Sequence, residues 1–218
     1  MGRLGAEVRS HLLGARELTV READPAWLDV IVGGSVLTAL VRVQEALAGA
    51  LLDLGVSSWQ IDKLERGFTF RAGAPLDMRM GTSGESAADL LNEASEERLA
   101  DVLYYYGEEK RSRRFARLIA ERRAERPFET SDDLVEILER VIPRATMQDR
   151  ARIFQALRIA VNGELESLER ALPALRDGLE PDGVIAVLSY HSLEDRLVKD
   201  AFREWSRECV CPPELPVC

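Results

Sequence analysis

The chain has 218 residues, of which 46% are hydrophobic and 31% charged, a balance typical of a folded globular protein. No stretch approaches the roughly 18 consecutive apolar residues needed to span a bilayer, and the first residues lack the charged–apolar–small order of a signal peptide. The net charge of −9 argues against binding of nucleic acid by the whole surface, because contacts with phosphates require Lys and Arg. The odd number of cysteines, three, argues against a complete set of disulfides and favours a reducing cytoplasm.

Hydrophobic periodicity predicts strands near both ends of the chain and helices between them. The predicted strands cover residues 18–20, 47–54 and 184–189, and the predicted helices cover residues 36–48, 86–106, 109–126, 131–141 and 150–172. The last strand is an apolar run introduced by a turn at residues 181–183, and its pattern is that of a strand buried on both faces of a parallel sheet. About 130 residues separate the two long strands, enough for an inserted helical domain.

The pair Gly33 and Gly34, followed by Ser35, invites comparison with a loop that binds phosphates. Two glycines are weak evidence for such a loop. Only 18 residues separate Ser35 from Asp53, which leaves no room for the successive strand–helix units of a cofactor-binding sheet. We therefore predict a plain turn at these glycines.

The clearest amphipathic helix is predicted at residues 150–172. Its apolar stripe repeats at spacings of three and four residues and consists of Phe154, Leu157, Val161, Leu165, Leu168 and Leu172. Arg158 and Asn162 lie one turn apart on an adjacent face, so this helix can present both side chains to a cleft as a group of hydrogen-bond donors.

Polar side chains follow the last predicted strand directly. His191 comes first, and Ser192 is suited to cap a helix whose first turn carries Glu194 and Asp195, near the positive end of the helix dipole. Open α/β sheets bind their ligands at the carboxyl ends of the strands, so these residues predict a functional site. Taken alone, the same residues favour an ordinary helix cap with a solvated first turn, because caps are far commoner than active sites.

Several motifs occur in a fixed order along the chain. They are LLDLGVSSWQ at residues 51–60, ERGFTF at 65–70, PLDMRM at 75–80, RIFQALRIAVN at 152–162, SYHSLEDRLVK at 189–199 and CVCPP at 209–213. In this order and at this spacing they closely resemble the bacterial N4-cytosine methyltransferases of small-subunit ribosomal RNA, the RsmH or MraW family. The resemblance runs from about residue 18 to residue 218.

The resemblance implies an α/β fold: a partial Rossmann-like class I methyltransferase sheet with an inserted all-helical domain. It divides the chain into residues 1–60 as part of the methyltransferase core, residues 61–148 as the insertion, and residues 149–218 as the return to the core. It also implies S-adenosylmethionine as the cofactor. The implied reaction is N4-methylation of a cytidine in the decoding region of 16S ribosomal RNA, within the small ribosomal subunit.

The same resemblance assigns site residues. In the family, the residues that match Asp53 and Gln60 contact S-adenosylmethionine. The cytosine amine is a weak nucleophile because its lone pair is delocalised into the ring, so an acceptor for its N–H assists methylation. We predict Asp53 and His191 as catalytic residues, since His191 could accept a proton or orient the base. The residues predicted to bind the substrate are Ser57, Ser58, Arg79, Arg158, Asn162, Ser192, Glu194 and Asp195.

Basic residues concentrate between Glu108 and Arg126, where eight of them accompany four acids. Arg113, Arg114 and Arg117 repeat along a predicted helix with a single aromatic residue, Phe115, among them, a pattern that favours contacts with RNA phosphates over the reading of bases. A solvated helix face with Glu–Arg pairs explains the same charges, and the sequence leaves both interpretations open.

The chain departs from the family pattern at both ends. Family members begin with a glycine-rich D-x-T-x-G-x-G-G-H loop and an acidic residue that binds the ribose of the cofactor, and neither motif is present; an N-P-R-x-R-S segment is also missing after Cys218. We therefore expect an incomplete copy of the enzyme that binds S-adenosylmethionine poorly by itself. The alternative is a catalytically inactive remnant that binds RNA or the ribosome. A DNA cytosine methyltransferase is disfavoured, because DLGVSS stands in place of a DPPY-type motif.

Three cysteines lie near the end of the sequence, at Cys209, Cys211 and Cys218. Structural zinc sites prefer four ligands, so three thiols favour a tail without a metal over an incomplete zinc knuckle. We predict no metal site.

Overall fold

The computed structural model describes residues 18–24, 27–32, 35–41, 47–81 and 83–207. The strands are Leu18–Asp24 (β1), Trp27–Val32 (β2), Ser35–Val41 (β3), Leu47–Asp53 (β4) and Leu179–Leu188 (β5). The helices are Ser58–Asp62 (α1), Ala87–Glu93 (α2), Glu96–Tyr105 (α3), Ser112–Glu125 (α4), Ser131–Val141 (α5), Met147–Asn162 (α6), Glu164–Gly178 (α7) and Ser192–Trp205 (α8), with a 3-10 turn at Leu64–Arg66. This part of the chain is a mixed α/β structure.

The five strands form one sheet in chain order. Strands β1 to β4 are antiparallel neighbours, whereas β4 and β5 pair in parallel. The strands predicted at residues 18–20 and 47–54 are confirmed as β1 and β4. The parallel pairing expected for the last strand is confirmed for β4 and β5, and the preceding strands add an antiparallel meander to it.

The helix predicted at residues 36–48 is wrong. Residues 35–41 are β3, which pairs with β2 on one side and β4 on the other. Val36, Thr38 and Val41 are β-branched, and such side chains favour extended backbone over helix. The two glycines before β3 lie outside the described residues, so the turn predicted there stays a prediction.

Strand β5 has one covered face and one open face, so the prediction of burial on both faces is wrong. Ile185 and Val187 pack against the side chains of α7 and α8, whereas Val184 is 66% exposed and Leu188 is 49% exposed. The strand also begins earlier than predicted. The expected turn lies inside it as an irregularity, where the register moves from the pair Leu47–Leu179 to the pair Gly49–Val184.

Two predicted helices are each divided into two. The helix predicted at residues 86–106 breaks before α3, because the Ser95 side chain accepts a hydrogen bond from the backbone N–H of Arg98 and starts a new helix. The helix predicted at residues 150–172 ends at Gly163, whose positive φ of 58° terminates α6. The helix predicted at residues 131–141 is confirmed as α5, and the helix at 109–126 is confirmed as the shorter α4.

The described side chains form two separate hydrophobic cores. The larger core is helical and draws on α2 to α6 and on the loop before α2. The smaller core lies between the β4–β5 pair and the helices α7 and α8. The stripe predicted for one helix is therefore shared, with Phe154 and Leu157 in the larger core and Leu168 and Leu172 in the smaller one. Within the described ranges, no helix has the length and apolar character needed to cross a membrane.

Gly67 allows the ERGFTF motif at residues 65–70 to pack against the PLDMRM motif at residues 75–80. Its φ is +70°, and a Cβ atom there would lie 2.4 Å from the carbonyl oxygen of Pro75. The adjacent Arg66 carbonyl accepts a hydrogen bond from the N–H of Met78. We expect Gly67→Ala to lower the free energy of unfolding by at least about 2 kcal/mol. The cost of placing alanine in the left-handed region adds to the cost of the clash between its Cβ atom and the Pro75 carbonyl.

Gly73→Ala is the matched control for this prediction. Its φ is +75°, but a Cβ atom at Gly73 would have no neighbour within 4 Å. Urea denaturation of the two variants separates the clash from the backbone strain, and equal losses of stability would contradict the packing role of Gly67.

Candidate active site

The parallel pair brings two distant motifs to the same edge of the sheet. Asp53 ends β4 opposite Leu188, which ends β5, and the N–H of Leu54 extends the ladder by donating to the Leu188 carbonyl at 3.1 Å. After Asp53 the chain enters α1 at Ser58, and after Leu188 it enters α8 at Ser192. Polar side chains at the carboxyl ends of neighbouring parallel strands define a ligand site in α/β folds.

Asp53 presents an exposed carboxylate at this edge. Its Oδ1 accepts a hydrogen bond from the hydroxyl of Tyr190 at 2.7 Å, and no cation among the described side chains pairs with it. The carboxylate raises the pKa of the Tyr190 hydroxyl, because it accepts that proton in a hydrogen bond and its negative charge opposes ionisation. The site therefore offers a hydrogen-bond acceptor whose remaining oxygen is open.

Gln60 folds back onto the start of α1. Its Oε1 accepts the backbone N–H of Ser57 at 2.9 Å, and the Ser57 hydroxyl lies 3.4 Å from the backbone nitrogen of Gln60. This reciprocal pair is a capping box. Gln60 is 7% exposed, so its amide is largely enclosed by the protein. The side chain of Ser58 lies outside the described part of the structure.

His191 caps α8, and the prediction that Ser192 is the cap is wrong. The extended backbone of His191, with φ −142° and ψ 161°, makes it the last residue before the helix, and Ser192 becomes the first helical residue. The His191 Nδ1 accepts the backbone N–H of Glu194 at 3.4 Å, while its Nε2 lies 3.2 Å from the Oε1 of Glu194. The imidazole is 8% exposed, so it faces the protein rather than the solvent.

Glu194 connects this cap to Tyr190. Its Oε2 accepts the backbone N–H of Tyr190 at 3.1 Å, and its side chain is 4% exposed. Burial raises the pKa of the Glu194 carboxyl, but the contact with the His191 side chain and the hydrogen bond from the Tyr190 backbone outweigh burial, so the pKa is lowered on balance. An ionised Glu194 therefore holds the backbone from which Tyr190 projects.

Glu164, His191 and Glu194 form a buried group whose ligand atoms lie within 4.8 Å of one another. Such a group has the donor types of a metal site. Arg158, however, donates to both oxygens of Glu164, at 2.8 and 2.9 Å. Burial raises the pKa of the Glu164 carboxyl, and Arg158 opposes that rise. The Arg158 guanidinium therefore supplies the positive charge that pairs with Glu164 in this group.

A second group holds the PLDMRM loop. Arg79 donates to both oxygens of Asp77, at 2.8 and 2.7 Å, and this contact lowers the pKa of the Asp77 carboxyl. The Asn162 side chain accepts the N–H of Met80 at 2.7 Å and donates to the Met78 carbonyl at 2.8 Å. The Asn162 side chain is therefore hydrogen-bonded to the backbone of the PLDMRM loop, and the Arg158 side chain is hydrogen-bonded to Glu164. Their predicted role in binding substrate stays a prediction.

The exposed side of α8 contacts the loop before α4. Arg196 pairs with Glu108 at 3.2 Å, and the Ser192 hydroxyl reaches the same carboxylate at 3.5 Å. Asp195 pairs with Lys199 on the next turn of α8 at 2.8 Å. The two contacts of Glu108 join the loop before α4 to the start of α8, beside the sheet edge.

The basic segment divides into structural and exposed residues. Arg122 is buried against Asp133, and Arg123 donates to the carbonyls of Leu91 and Ala94. The arginines predicted to contact phosphates, Arg113, Arg114 and Arg117, are exposed on α4. Arg117 pairs with Glu121 at 3.6 Å, and Arg114 reaches the Arg140 carbonyl at 3.4 Å.

Sequence reasoning predicted site roles for Asp53, His191 and Glu194, which the structure brings to the ends of β4 and β5, but it predicted none for Tyr190. The sequence carried one signal for Tyr190, which is its position directly before His191 at the predicted end of a strand. Cys209, Cys211 and Cys218 lie outside the described residues, so the prediction that they bind no metal stays a prediction.

A parallel strand pair with an open carboxylate at its carboxyl edge is typical of an α/β enzyme site. Residues 34–218 match the MraW methylase family, and the chain belongs to that family. A protein of Gemmatimonas aurantiaca is 61% identical over 172 residues, which cover 78% of this chain and 55% of that protein. Proteins of Heliobacterium mobile and Heliobacterium modesticaldum are 50% and 54% identical, over 85% and 78% of this chain and 61% and 56% of their own lengths.

All three relatives are named ribosomal RNA small subunit methyltransferase H. The chain spans between 55% and 61% of the length of these relatives.

Proposed function

We propose that this chain carries the substrate side of an S-adenosylmethionine-dependent methyltransferase that acts on a ribosomal RNA. The target is the N4 amine of a cytidine in the 16S RNA of the small ribosomal subunit, in the cytoplasm. The family match and the names of the relatives support the class of reaction. The observation that carries the proposal is the open Asp53 carboxylate at the edge of the parallel strands.

Asp53 is the group that acts on the amine. Its free oxygen accepts a hydrogen bond from the cytidine N4–H, which returns electron density to the nitrogen. Transfer of the methyl group would break its bond to the sulfonium sulfur, which would leave as the neutral thioether, and would make N4 cationic. The Asp53 carboxylate would stabilise that positive charge and take the proton from N4. Tyr190 holds the other oxygen at 2.7 Å, so the carboxylate is oriented before the substrate arrives.

The described residues fit a positively charged cofactor. S-adenosylmethionine supplies an electrophilic methyl group on a sulfonium. An exposed carboxylate that has no cationic partner among the described side chains favours such a positive charge nearby. Asp53 and Gln60 are the residues we propose to hold it. The enclosed amide of Gln60 supports this role by fixing the turn that follows β4, rather than by an open donor.

The other proposed substrate residues divide by their surroundings. His191 and Glu194 act by positioning, because both are buried and bind the backbone of Tyr190 or of α8. The remaining residues are proposed as further contacts with the substrate: Ser57, Ser58, Arg79, Arg158, Asn162, Ser192 and Asp195.

The two hydrophobic cores support an inserted domain. We propose that β4, β5, α7 and α8 belong to a partial Rossmann-like methyltransferase sheet and that the helical core is the insertion. Since Ile153, Phe154 and Leu157 lie in the helical core, the insertion would extend through α6 to Gly163, beyond the boundary at residue 148 expected from the sequence.

The exposed arginines of α4 are proposed to contact RNA phosphates. We expect the triple variant Arg113→Gln, Arg114→Gln and Arg117→Gln to lower RNA affinity and to reduce the slope of log K against log salt by about 0.7–0.9 for each lost contact. Anisotropy titrations at several salt concentrations measure this slope. A control triple variant on other surfaces, Arg98→Gln, Arg170→Gln and Arg203→Gln, should keep it, and equal slopes in both would contradict the assignment.

Two proteins test the proposed function. The first is the 218-residue chain, and the second is the Gemmatimonas aurantiaca relative with its matching segment replaced by residues 47–207. Transfer of labelled methyl groups to unmodified small ribosomal subunits by the chimera would support the proposal. An inactive but folded chimera would reject it and favour a remnant that only binds RNA.

A further inference from the structure

Tyr190 is an exposed aromatic residue in a fixed position. Its relative exposure is 70%, the highest among the large hydrophobic residues that the structure describes. It follows Val184 and Leu188, which are exposed on the open face of β5. An aromatic ring normally buries its faces, so an open ring beside a candidate active site suggests a planar ligand.

The ring is held at two points. Its hydroxyl donates to the Asp53 Oδ1 at 2.7 Å, and its backbone N–H donates to the buried Glu194 at 3.1 Å. Gly55 runs alongside, where a Cβ atom would lie 3.7 Å from the ring. Tyr190 is thus restrained at its backbone and at its tip, while its surface stays open.

We propose that Tyr190 is a positioning residue for the target nucleobase. Its ring provides the face on which the base stacks, and its hydroxyl orients Asp53 towards the exocyclic amine of that base. This inference rests on the proposed function and adds to it the surface that receives the substrate.

The Tyr190 ring and the Asp53 carboxylate together favour a base that carries an exocyclic amine. Stacking on an aromatic ring tolerates every base, because every base has a π face. The carboxylate distinguishes among them. Cytosine presents an N–H donor at its position 4, whereas uracil presents a carbonyl oxygen that Asp53 would repel.

Binding to short RNA tests the stacking role in the 218-residue chain. The probes are two end-labelled single-stranded oligouridines, one of which carries a single cytidine. We expect Tyr190→Leu to weaken binding of the cytidine probe at least about fivefold, because the stacking surface is lost. Tyr190→Phe keeps the ring and should bind within about twofold of the wild type, while its preference for cytidine over uridine should fall.

Tyr105→Leu is the matched control, since Tyr105 is a similarly exposed tyrosine, at 62%, and belongs to α3 rather than to the strands or the segments that follow them. It should leave both affinities unchanged. Wild-type affinity in Tyr190→Leu, or an equal loss in Tyr105→Leu, would overturn the inference. A wild-type chain that does not distinguish the two probes would overturn it as well.

The inference and the proposed function can fail separately. An inactive wild-type chimera rejects the methyltransferase function. An active chimera combined with full RNA affinity in Tyr190→Leu rejects only the role of Tyr190.

The hydrogen bond between Tyr190 and Asp53 can be tested by an absorbance titration of the tyrosines. Asp53→Asn should allow one of the four tyrosines to ionise at a lower pH, because the negative charge that opposes ionisation of Tyr190 is removed. The same titration of Tyr190→Phe should lack that change, and an unchanged titration in Asp53→Asn would overturn the contact.

Discussion

Asp53→Ala is expected to reduce methyl transfer by the chimera at least about 100-fold. The variant loses the group that accepts the proton of the amine, and a positioned general base contributes roughly 10²–10⁴ to a rate. The carboxylate is exposed, so its removal should leave the melting temperature nearly unchanged. Single-turnover assays with labelled S-adenosylmethionine measure the loss.

Two further variants define the cause of that loss. Asp53→Asn keeps the shape of the side chain and an oxygen for the Tyr190 hydroxyl, but it cannot take a proton. Asp62→Ala removes another exposed aspartate a short distance along the chain and should retain full activity. Calorimetric titration with S-adenosylmethionine reports the contribution of Asp53 to cofactor affinity. Wild-type turnover in Asp53→Asn would contradict the role of the charge.

Asp133→Ala is expected to cost about 3–5 kcal/mol of folding free energy. Asp133 is 9% exposed and binds Arg122, which is 6% exposed, together with Arg126 and the backbone N–H groups of Glu129 and Thr130. Removing the carboxylate leaves the buried Arg122 guanidinium with only the half-exposed Glu136, 3.8 Å from its Nε, as an acidic partner. Removing one partner of a buried ion pair is costly because the remaining charge is poorly compensated. Urea denaturation at pH 7 measures the change.

The cost of this substitution should depend on pH. Burial raises the pKa of the Asp133 carboxyl, but the hydrogen bonds from Thr130 and Glu129 and the arginine charges outweigh burial and lower it. A carboxyl whose pKa is lower in the folded state stabilises the fold above its unfolded pKa of about 3.9, and this stabilisation is lost as the pH falls through the folded value.

The difference between wild type and Asp133→Ala should therefore narrow below about pH 4. Asp132→Ala is the control, because Asp132 lies in the same first turn of α5 but is exposed and accepts one hydrogen bond, from Gly73. It should cost at most about 1 kcal/mol. A cost for Asp133→Ala that does not change with pH would contradict the electrostatic explanation.

Elements with strong local signals were predicted well. Helix α5 begins where Thr130 and Asp133 form a capping box, and residues 131–141 carry the matching apolar pattern. Strand β4 is likewise marked by its apolar run. The divided helices were missed because apolar spacing can continue through a break. Gly163 changes the direction of the chain without disturbing the sequence of apolar residues on either side.

The open face of β5 shows a second limit. A continuous apolar run is compatible with burial on both faces, but burial requires elements that cover both faces. In the described part of the chain, α7 and α8 cover only the face that carries Ile185 and Val187. The number of covering layers is a property of the assembled structure, so the sequence pattern could not determine it.

The sequence by itself determined the family, the approximate carboxyl ends of β4 and β5, and the position of Asp53 at the first of these ends. Motifs and apolar runs are local patterns, so they can be read without the tertiary structure. Only the tertiary structure decided which polar groups stay open. Arg158 and Asn162 looked available on a helix face, yet Glu164 and the PLDMRM backbone occupy them. Tyr190 and Asp53 are 137 residues apart and meet at 2.7 Å. Hydrogen-bond partners are chosen by distance in space, and chain spacing does not give that distance.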